Sequence, residues 1–434
     1  MNAVYRTLNR DVTSIMTNAH RSASGSATTG SSDFLPYGRH SIDAEDLAAV
    51  ARVLQSDWLT SGPEVDAFEQ AFARKVGAKF AVACSSGTAG LHLAALALGM
   101  GAGDKAIVPT LTFLATANAA RYVNADVVFC DVDADTGLMS LEALEKAYGA
   151  ASDIKAILPV HLNGQCADMA ALSSFARKHG LVIVEDACHA IGGTLDTADG
   201  GSTPVGSCAF SDMTVFSLHP VKTVTMGEGG VVTTNDEALY QKMTSLRSHG
   251  MIRDPNAMQN HAQATSPSGA ANPWYYEMQE LGFNFRASAL QCALGTSQLN
   301  KLDSFVAKRQ QLADKYDAQL APLAPVIRPI RRVDYGQAGW HLYVVLIDFD
   351  AAGMDRAQLM NALHADGIGT QVHYLPVHLQ PYYQSLYGAN ELSGANAYYA
   401  RCLSLPLFPE MNGADVERVI ASLRNALSLH QGVS

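Results

Sequence analysis

Short apolar runs alternate with amphipathic stretches along the chain from about residue 80 to residue 235. The runs 80–84 and 106–109 have the length of buried strands, and the stretches 88–98 and 112–122 that follow them have helical spacing. The same pattern predicts further strands at 127–129, 156–160, 181–184, 213–217 and 230–233, and further helices at 169–178 and 237–247. Repeated strand–helix units of this kind predict an α/β fold with a mostly parallel central sheet and flanking helices.

The pattern changes after residue 250. Residues 253–273 contain three prolines and predict a long loop, whereas 289–320 has the apolar spacing of one long helix. Strands are then predicted at 341–348 and 369–374, and helices at 356–365 and 414–427. We therefore expect a large domain over 34–300, with an N-terminal arm at 34–63, and a smaller C-terminal α+β domain over 301–434.

The first 33 residues differ from the rest of the chain. Residues 22–32 are small and polar, so we expect a disordered N-terminal extension over 1–33. Its arginines faintly resemble a transit peptide, but Asp11 and the missing apolar stripe favour a plain flexible extension. No apolar run anywhere in the chain reaches the roughly 18 residues of a membrane-spanning helix, so no membrane association is predicted.

Composition excludes several classes of function. Apolar residues make up 48% of the chain and charged residues 16%, below the roughly 25% of an average globular protein, which fits either a buried interface or a large protein with little surface. The net charge of −11 argues against binding to nucleic acid. The seven cysteines are scattered without a C-x-x-C pair, so we expect no disulfide framework, no metal site and a cytoplasmic location.

The most informative residues are Asp186, which ends an apolar run, and Lys222, which follows a later one. Pyridoxal phosphate chemistry needs both groups, because a lysine forms a Schiff base with the cofactor aldehyde and a carboxylate keeps the pyridine nitrogen protonated. Ligands of parallel sheets bind beyond the carboxyl ends of the strands, where Asp186 and Lys222 are expected. The pair therefore predicts a site for pyridoxal 5'-phosphate.

Other residues indicate a function only when they are considered together with Asp186 and Lys222. Gly87 and Thr88 open a helix directly after a strand and suit the cofactor phosphate, although an ordinary capped turn has the same appearance. Ser217 could also bind phosphate. Phe113 could stack on the pyridine ring or be plain core, and His189 could bind the phenolic oxygen or be a satisfied core histidine.

Three neighbouring features are given no catalytic role. Glu185 precedes Asp186, so strand alternation directs its side chain to the other face. Cys188 has no general base placed against it and is interpreted as a buried thiol. The glycines of 227–230 lack the G-x-G-x-x-G spacing of a dinucleotide loop.

With these residues in place, the chain resembles the DegT/DnrJ/EryC1/StrS sugar aminotransferases, fold-type-I enzymes that depend on pyridoxal phosphate. The likeness covers about residues 35–430, and within the family it is greatest to the transaminases of pseudaminic acid biosynthesis. The motifs that carry it are PYGR at 36–39, SDWLTSGP at 56–63, HPVK at 219–222, WYYEMQELGFNFR at 274–286 and QVHYLPVH at 371–378.

The resemblance implies roles for single residues. Lys222 would carry the cofactor and Asp186 would face its pyridine nitrogen. The phosphate would be held by Gly87, Thr88 and Ser217, joined by Asn284 from the second subunit of a homodimer. His189 would contact the phenolic oxygen and Phe113 would stack on the ring. Segments around Tyr37, Thr60 and His373 line the sugar-nucleotide pocket in relatives, and Arg286 and Arg247 are candidates to bind the diphosphate.

The implied reaction moves an amino group from L-glutamate to C4 of a UDP-linked 4-keto-6-deoxy-N-acetyl-hexosamine. Amination of another nucleotide-linked sugar, for example GDP- or dTDP-linked, or of a non-sugar substrate, stays open, as does a cofactor-binding regulator without turnover. Relatives with histidine in place of the lysine are dehydratases, and Lys222 argues against that activity. Residues 192–208 are longer than usual for the family.

Overall fold

A seven-stranded sheet forms the centre of the molecule, which the computed structural model describes over residues 34–428. The predicted extension 1–33 lies outside the described residues. In chain order the strands are β1 Phe80–Cys84, β2 Lys105–Pro109, β3 Asp126–Cys130, β4 Ile154–Ile157, β5 Val182–Asp186, β6 Thr194–Asp196, β7 Ser202–Pro204, β8 Met213–Ser217, β9 Gly230–Thr234, β10 Met251–Ile252, β11 Glu277–Met278, β12 Ile327–Pro329, β13 Tyr343–Ile347 and β14 Cys402–Leu405.

The helices lie between these strands and after them. They are α1 Ala44–Leu54, α2 Pro63–Val76, α3 Gly87–Ala97, α4 Leu114–Tyr122, α5 Leu141–Gly149, α6 Met169–His179, α7 Glu237–Arg247, α8 His261–Ala264, α9 Ala289–Asn300, α10 Leu302–Leu320, α11 Phe349–Ala352, α12 Arg356–Ala365, α13 Pro381–Tyr387, α14 Ser393–Arg401 and α15 Gly413–Ala426. Single 3-10 turns occur at Leu162–Gly164, Pro255–Ala257, Ala321–Leu323 and Val377–Leu379.

The strand order of the central sheet is β1-β9-β8-β5-β4-β2-β3. β9 runs antiparallel to its two neighbours, β1 and β8, and the remaining strands are parallel to one another. The predicted mostly parallel α/β sheet is therefore confirmed. Because β8 and β9 pair directly, the chain reverses direction in the segment between them, which carries Lys222.

Both faces of the sheet are buried, which explains why its strands are almost continuously apolar in sequence. In β1, Val82 and Cys84 pack with α3, α4 and α7, whereas Ala81 and Ala83 pack on the opposite face with α2, α6 and α9. Alternate residues of one strand thus belong to two different hydrophobic cores.

A second, three-stranded antiparallel sheet, β12-β13-β14, follows in the C-terminal part of the chain. Its core includes apolar side chains of α10, α12, α14 and α15, together with Leu111 and Val160 from the segments after β2 and β4. Residues 35–428 belong to one compact unit. The domain division at residue 300 and the arm at 34–63 stay predictions.

Three sequence predictions need correction. No strand forms at 369–374, where Gln371 makes an isolated bridge to Ser404, because the Gln371 side chain accepts the Val372 backbone N–H and replaces a strand partner. The helix predicted over 289–320 divides into α9 and α10 at Lys301, which is the C-cap of the first helix and the N-cap of the second. The loop predicted over 253–273 contains a 3-10 turn and α8.

Residues 192–208 form the hairpin β6–β7, which runs along another loop. The backbone amides of Thr194 and Asp196 donate to the carbonyls of Gln337 and Tyr335. In the part of the chain that the structure describes, no helix has both the length and the apolar character to span a bilayer. The seven cysteines are unpaired, and no described cluster of His, Cys, Asp or Glu side chains has the make-up of a metal site.

Candidate active site

A cavity of about 480 Å³ opens where β5 and β8 end. Most of the predicted site residues line it. They are Tyr37, Gly87, Thr88, Phe113, Asp186, His189, Ser217, Lys222 and His373. The fold therefore brings together residues that lie as far as 336 positions apart in sequence (373 − 37).

Asp186, the last residue of β5, is buried at the wall of this cavity. Its Oδ2 accepts a hydrogen bond from Thr116 Oγ1 at 2.6 Å, and its Oδ1 accepts one from the Cys188 backbone N–H at 3.1 Å. Among the described ion pairs none involves Asp186, so this buried carboxyl group fits a protonated pyridine nitrogen as its partner.

Lys222 lies half-buried in the turn between β8 and β9, with its backbone N–H bonded to the carbonyl of His219 at 2.9 Å. Burial lowers the pKa of the Lys222 amine below its ordinary value, although the negative charge of Asp186 opposes that shift. A lysine with a lowered pKa is a better nucleophile and a better proton acceptor near neutral pH.

The start of α3 forms a close-packed cradle that suits a phosphate. Ser86 caps the helix by accepting the Ala89 N–H at 3.1 Å. A Cβ on Gly87 would lie 2.9 Å from the Cβ of Ser217, and one on Gly230 would lie 2.7 Å from the Gly87 nitrogen. Only glycine permits this approach of β8 and β9 to a helix N-terminus, where backbone amides and the helix dipole favour an anion.

His189 is buried and both of its ring nitrogens are engaged. Nδ1 accepts the Asn163 backbone N–H at 3.3 Å, and Nε2 lies 3.0 Å from the hydroxyl of Tyr374. Because Nδ1 is an acceptor, the proton of the neutral ring is on Nε2. Burial, followed by the charge of Lys222, lowers the pKa of His189 well below its ordinary value. Its predicted contact with the phenolic oxygen stays a prediction.

Two more histidines reach the cavity from the C-terminal part of the chain. His373 Nδ1 lies 2.7 Å from Ser404 Oγ, and burial lowers the pKa of His373 to about 3. The ring of His341 lies 4.6 Å from that of His189, centroid to centroid. His341, Tyr374 and Thr116 were missed in the sequence. Thr116 could have been identified from the sequence, since it lies four residues after Thr112, which is next to the predicted Phe113. No neighbouring residue in the sequence indicates a role for His341.

Three predicted residues do not line the cavity of a single chain. Thr60 forms an isolated bridge with Ser288, and the exposed Asn284 forms one with Ser248. Arg286 lines a different cavity, together with Arg253, His249 and other residues. Their roles in substrate or phosphate binding stay predictions that require a second chain.

Two further residues are held by structural contacts. Arg247 forms a largely buried ion pair with Glu69 and donates to the Ala83 carbonyl at 2.6 Å, away from the cavity. Glu185 faces away from Asp186 and lies 2.6 Å from Nε2 of the buried His161. No arginine of the described chain lines the cavity.

Comparison with known proteins agrees with this geometry. The model of the DegT/DnrJ/EryC1/StrS aminotransferase family matches residues 40–424. SpsC of Bacillus subtilis, a spore coat polysaccharide biosynthesis protein, is 39% identical over 395 residues, which are 90% of this chain and 97% of that protein.

Solved structures give the same result. Helicobacter pylori PseC, an aminotransferase of pseudaminic acid biosynthesis, superposes with a TM-score of 0.81 at 29% identity, over 92% of this chain and all of that one. The protein Spr1654 of Streptococcus pneumoniae, solved in its PLP form, has a TM-score of 0.79 at 25% identity, over 91% of this chain and 99% of that one. The chain therefore belongs to the DegT/DnrJ/EryC1/StrS aminotransferase family, and its cofactor is pyridoxal phosphate.

Proposed function

We propose that this aminotransferase transfers an amino group from L-glutamate to the C4 ketone of a UDP-linked 4-keto-6-deoxy-N-acetyl-hexosamine, as in pseudaminic acid biosynthesis. The observation that carries the proposal is the meeting of Asp186 and Lys222 in one cavity, in a chain that matches PseC over nearly its whole length. The free thiols of its cysteines support a cytoplasmic site of action.

Asp186 and Lys222 would have separate roles, the first in cofactor binding and the second in proton transfer. When bound, the cofactor supplies an electron sink for the carbon that gains or loses the amino group. Asp186 would hold the pyridine nitrogen protonated, with its own carboxyl group positioned by the hydroxyl of Thr116. Lys222, with its lowered pKa, would accept the proton of the reacting carbon and return it at the other end of the transfer.

We further propose a homodimer in which each site uses both chains. Phe113 lines the cavity with 55% of its surface exposed, and Asn284 is exposed, so both are accessible to a second chain. Large apolar side chains are also exposed in three segments, at Leu54, Trp58, Leu59, Leu114, Tyr122, Trp274, Tyr276, Met278 and Leu281. Exposed apolar surface of this extent supports an interface.

A different nucleotide-linked 4-keto sugar is the second candidate. The observation that favours it is the 39% identity to SpsC, which exceeds the 29% identity to PseC. SpsC is a spore coat polysaccharide biosynthesis protein, so the two relatives belong to differently named biosynthetic routes, and a sugar other than that of PseC is the alternative.

The deciding experiment is a screen of UDP-, GDP- and dTDP-linked 4-keto sugars with L-glutamate, in which products are identified by mass spectrometry. We expect a mass change from ketone to amine with the UDP-linked N-acetylated sugar and none with Lys222→Ala. Amination of only a dTDP- or GDP-linked sugar would support the second candidate, a different nucleotide-linked 4-keto sugar, in place of the UDP-linked one. If no sugar is aminated while the enzyme still deaminates glutamate, the substrate is not a nucleotide sugar.

A further inference from the structure

His341 is a buried histidine of the cavity wall that no role described above uses. It is 4% exposed and lies just before β13. Its backbone N–H donates to the Asn163 carbonyl at 3.0 Å, which fixes the residue beside His189. Its ring nitrogen Nδ1 is buried and has no hydrogen-bond partner in the described structure. Because Nδ1 is sealed from solvent, a ligand in the cavity would meet this ring through Nε2, which makes no hydrogen bond in the described structure either.

A second unpaired group lies behind His341. The guanidinium of Arg309 is completely buried, and its Nη1 donates to the carbonyls of His341 and Leu407 at 3.2 and 2.8 Å. Nε and Nη2 of Arg309 have no partner, and no carboxylate of the described chain forms an ion pair with it. Glu410 is the acidic group that acts on this charge without forming an ion pair, and a bound anion near His341 would stabilise the charge of Arg309 further.

The other histidines of the cavity are already engaged. His189 is bonded to Asn163 and Tyr374, His373 is bonded to Ser404, and His219 lies 3.9 Å from Glu228. Since no arginine among residues 34–428 lines the cavity, His341 is the side chain best placed to meet an anion beside Lys222. The ionisable groups that act on the His341 ring are Lys222, His189, Arg309 and His373, and none of them is acidic.

We propose that His341, with the charge of Arg309 behind it, binds the α-carboxylate of the amino donor. The proposal rests on the proposed function, because it presumes an amino acid as donor. The position of His341 beside Lys222 favours this carboxylate over the diphosphate of the sugar nucleotide. A carboxylate attached to the reacting carbon must lie close to Lys222, whereas the diphosphate is separated from the C4 ketone by the sugar ring.

The test uses glutarate, which has both carboxylates of glutamate and no amino group. Its binding to the holoenzyme is measured by calorimetry in the wild type, His341→Leu and His341→Gln. We expect His341→Leu to weaken binding roughly ten- to hundredfold, the range for loss of a hydrogen bond to a charged group, and His341→Gln to restore much of it. His92→Leu is the matched control, since His92 is also buried with an unpartnered ring nitrogen but lies outside the cavity.

A second measurement separates the donor from the sugar. In single-turnover experiments, His341→Leu should raise the glutamate concentration needed for half-maximal conversion of the cofactor, and should change the conversion by 4-keto sugar less than threefold. Wild-type glutarate affinity in His341→Leu, or an equal loss in both half-reactions, would overturn the proposal.

The wild-type holoenzyme crystallised with glutarate decides the matter if the variants do not fold. A carboxylate within hydrogen-bond distance of the His341 ring supports the proposal, and carboxylates held only by other side chains overturn it. Failure of the proposed function gives a different result, in which no nucleotide sugar is aminated although glutarate binding still depends on His341.

Discussion

The backbone amide of Asn163 donates to Nδ1 of His189 and fixes which nitrogen of that ring carries the proton. Asn163 has a φ of 63°, a left-handed conformation that asparagine tolerates better than most residues. Its carbonyl accepts the backbone N–H of His341 at 3.0 Å. One residue on a loop after β4 therefore positions two histidines of the cavity.

The first prediction concerns acid stability. Burial lowers the pKa of His189, His341 and His373, whereas an unfolded histidine titrates near 6.5. Below that pH the unfolded chain binds protons that the folded chain does not, so the free energy of unfolding should fall as the pH falls. The loss is about 1.4 kcal/mol per pH unit for each buried neutral histidine.

Urea titrations of the holoenzyme between pH 7.5 and pH 5 measure this slope. His189→Gln should lose one histidine's share of the pH dependence. An unchanged slope in that variant would show that His189 is already protonated in the folded enzyme.

The second prediction concerns the hydrogen bond from Thr116 to Asp186. Thr116→Val removes a donor to a buried carboxylate, which costs about 1.5–3 kcal/mol, so turnover should fall by about one to two orders of magnitude. Thr116→Ser keeps the hydroxyl and should stay close to wild type. Asp186→Asn should lower turnover further, by an amount equivalent to roughly 3–4 kcal/mol in the activation free energy, where about 1.4 kcal/mol corresponds to a tenfold change in rate. This variant should still bind the cofactor. Steady-state kinetics measures all three, and equal activity of the Val and Ser variants would refute the role of the bond.

The third prediction concerns the approach of β9 to the phosphate cradle. In Gly230→Ala the new Cβ would meet the carbonyl of Ser86 and the nitrogen of Gly87, so the backbone must shift at the start of α3. We expect cofactor affinity to fall at least tenfold and stability to fall by about 1–3 kcal/mol. Gly101→Ala is the control, because its Cβ would meet nothing closer than 4.0 Å. Cofactor titration and thermal denaturation distinguish the two variants, and a matched response would contradict the steric argument.

The fourth prediction concerns the lysine itself. The purified protein should be yellow, and borohydride should bleach the colour irreversibly by fixing the cofactor to the chain. Peptide mapping should find the added mass on Lys222. Reduced cofactor attached to another lysine would contradict the assignment of Lys222 as the residue that carries it.

The fifth prediction concerns Asn284 across the proposed dimer interface. Lys222→Ala and Asn284→Asp should each be inactive, the second because its new carboxylate repels the phosphate. After subunit exchange, a mixed dimer has one site with both residues intact and one with both defects. An equal mixture should therefore recover about a quarter of wild-type activity, since half of the dimers are mixed. Full exchange without recovered activity would show that Asn284 does not act across the interface.

The local parts of the site could be predicted from the sequence. Asp186 and Lys222 were recognisable because each follows an apolar run, and Gly87 and Thr88 because a strand is followed directly by a small-residue helix start. The prediction of a strand over 369–374 was wrong because it, too, depended on one short segment alone. A segment of six mostly polar residues has no fixed conformation of its own, and here the Gln371 side chain accepts the backbone N–H of Val372.

The sequence by itself determined the alternating strands and helices, the position of Asp186 at a strand end and the lysine beyond the next parallel strand, because these depend on periodicity within short segments. Only the tertiary structure decided that Thr116 bonds Asp186, that Tyr374 and His341 flank His189, and that Arg309 lies behind His341. Those contacts join residues up to 185 positions apart (374 − 189), and their geometry depends on how the two sheets pack against the loops between them. Side chains that meet through such packing leave no periodic pattern in the chain, since each is fixed by neighbours from a distant part of it.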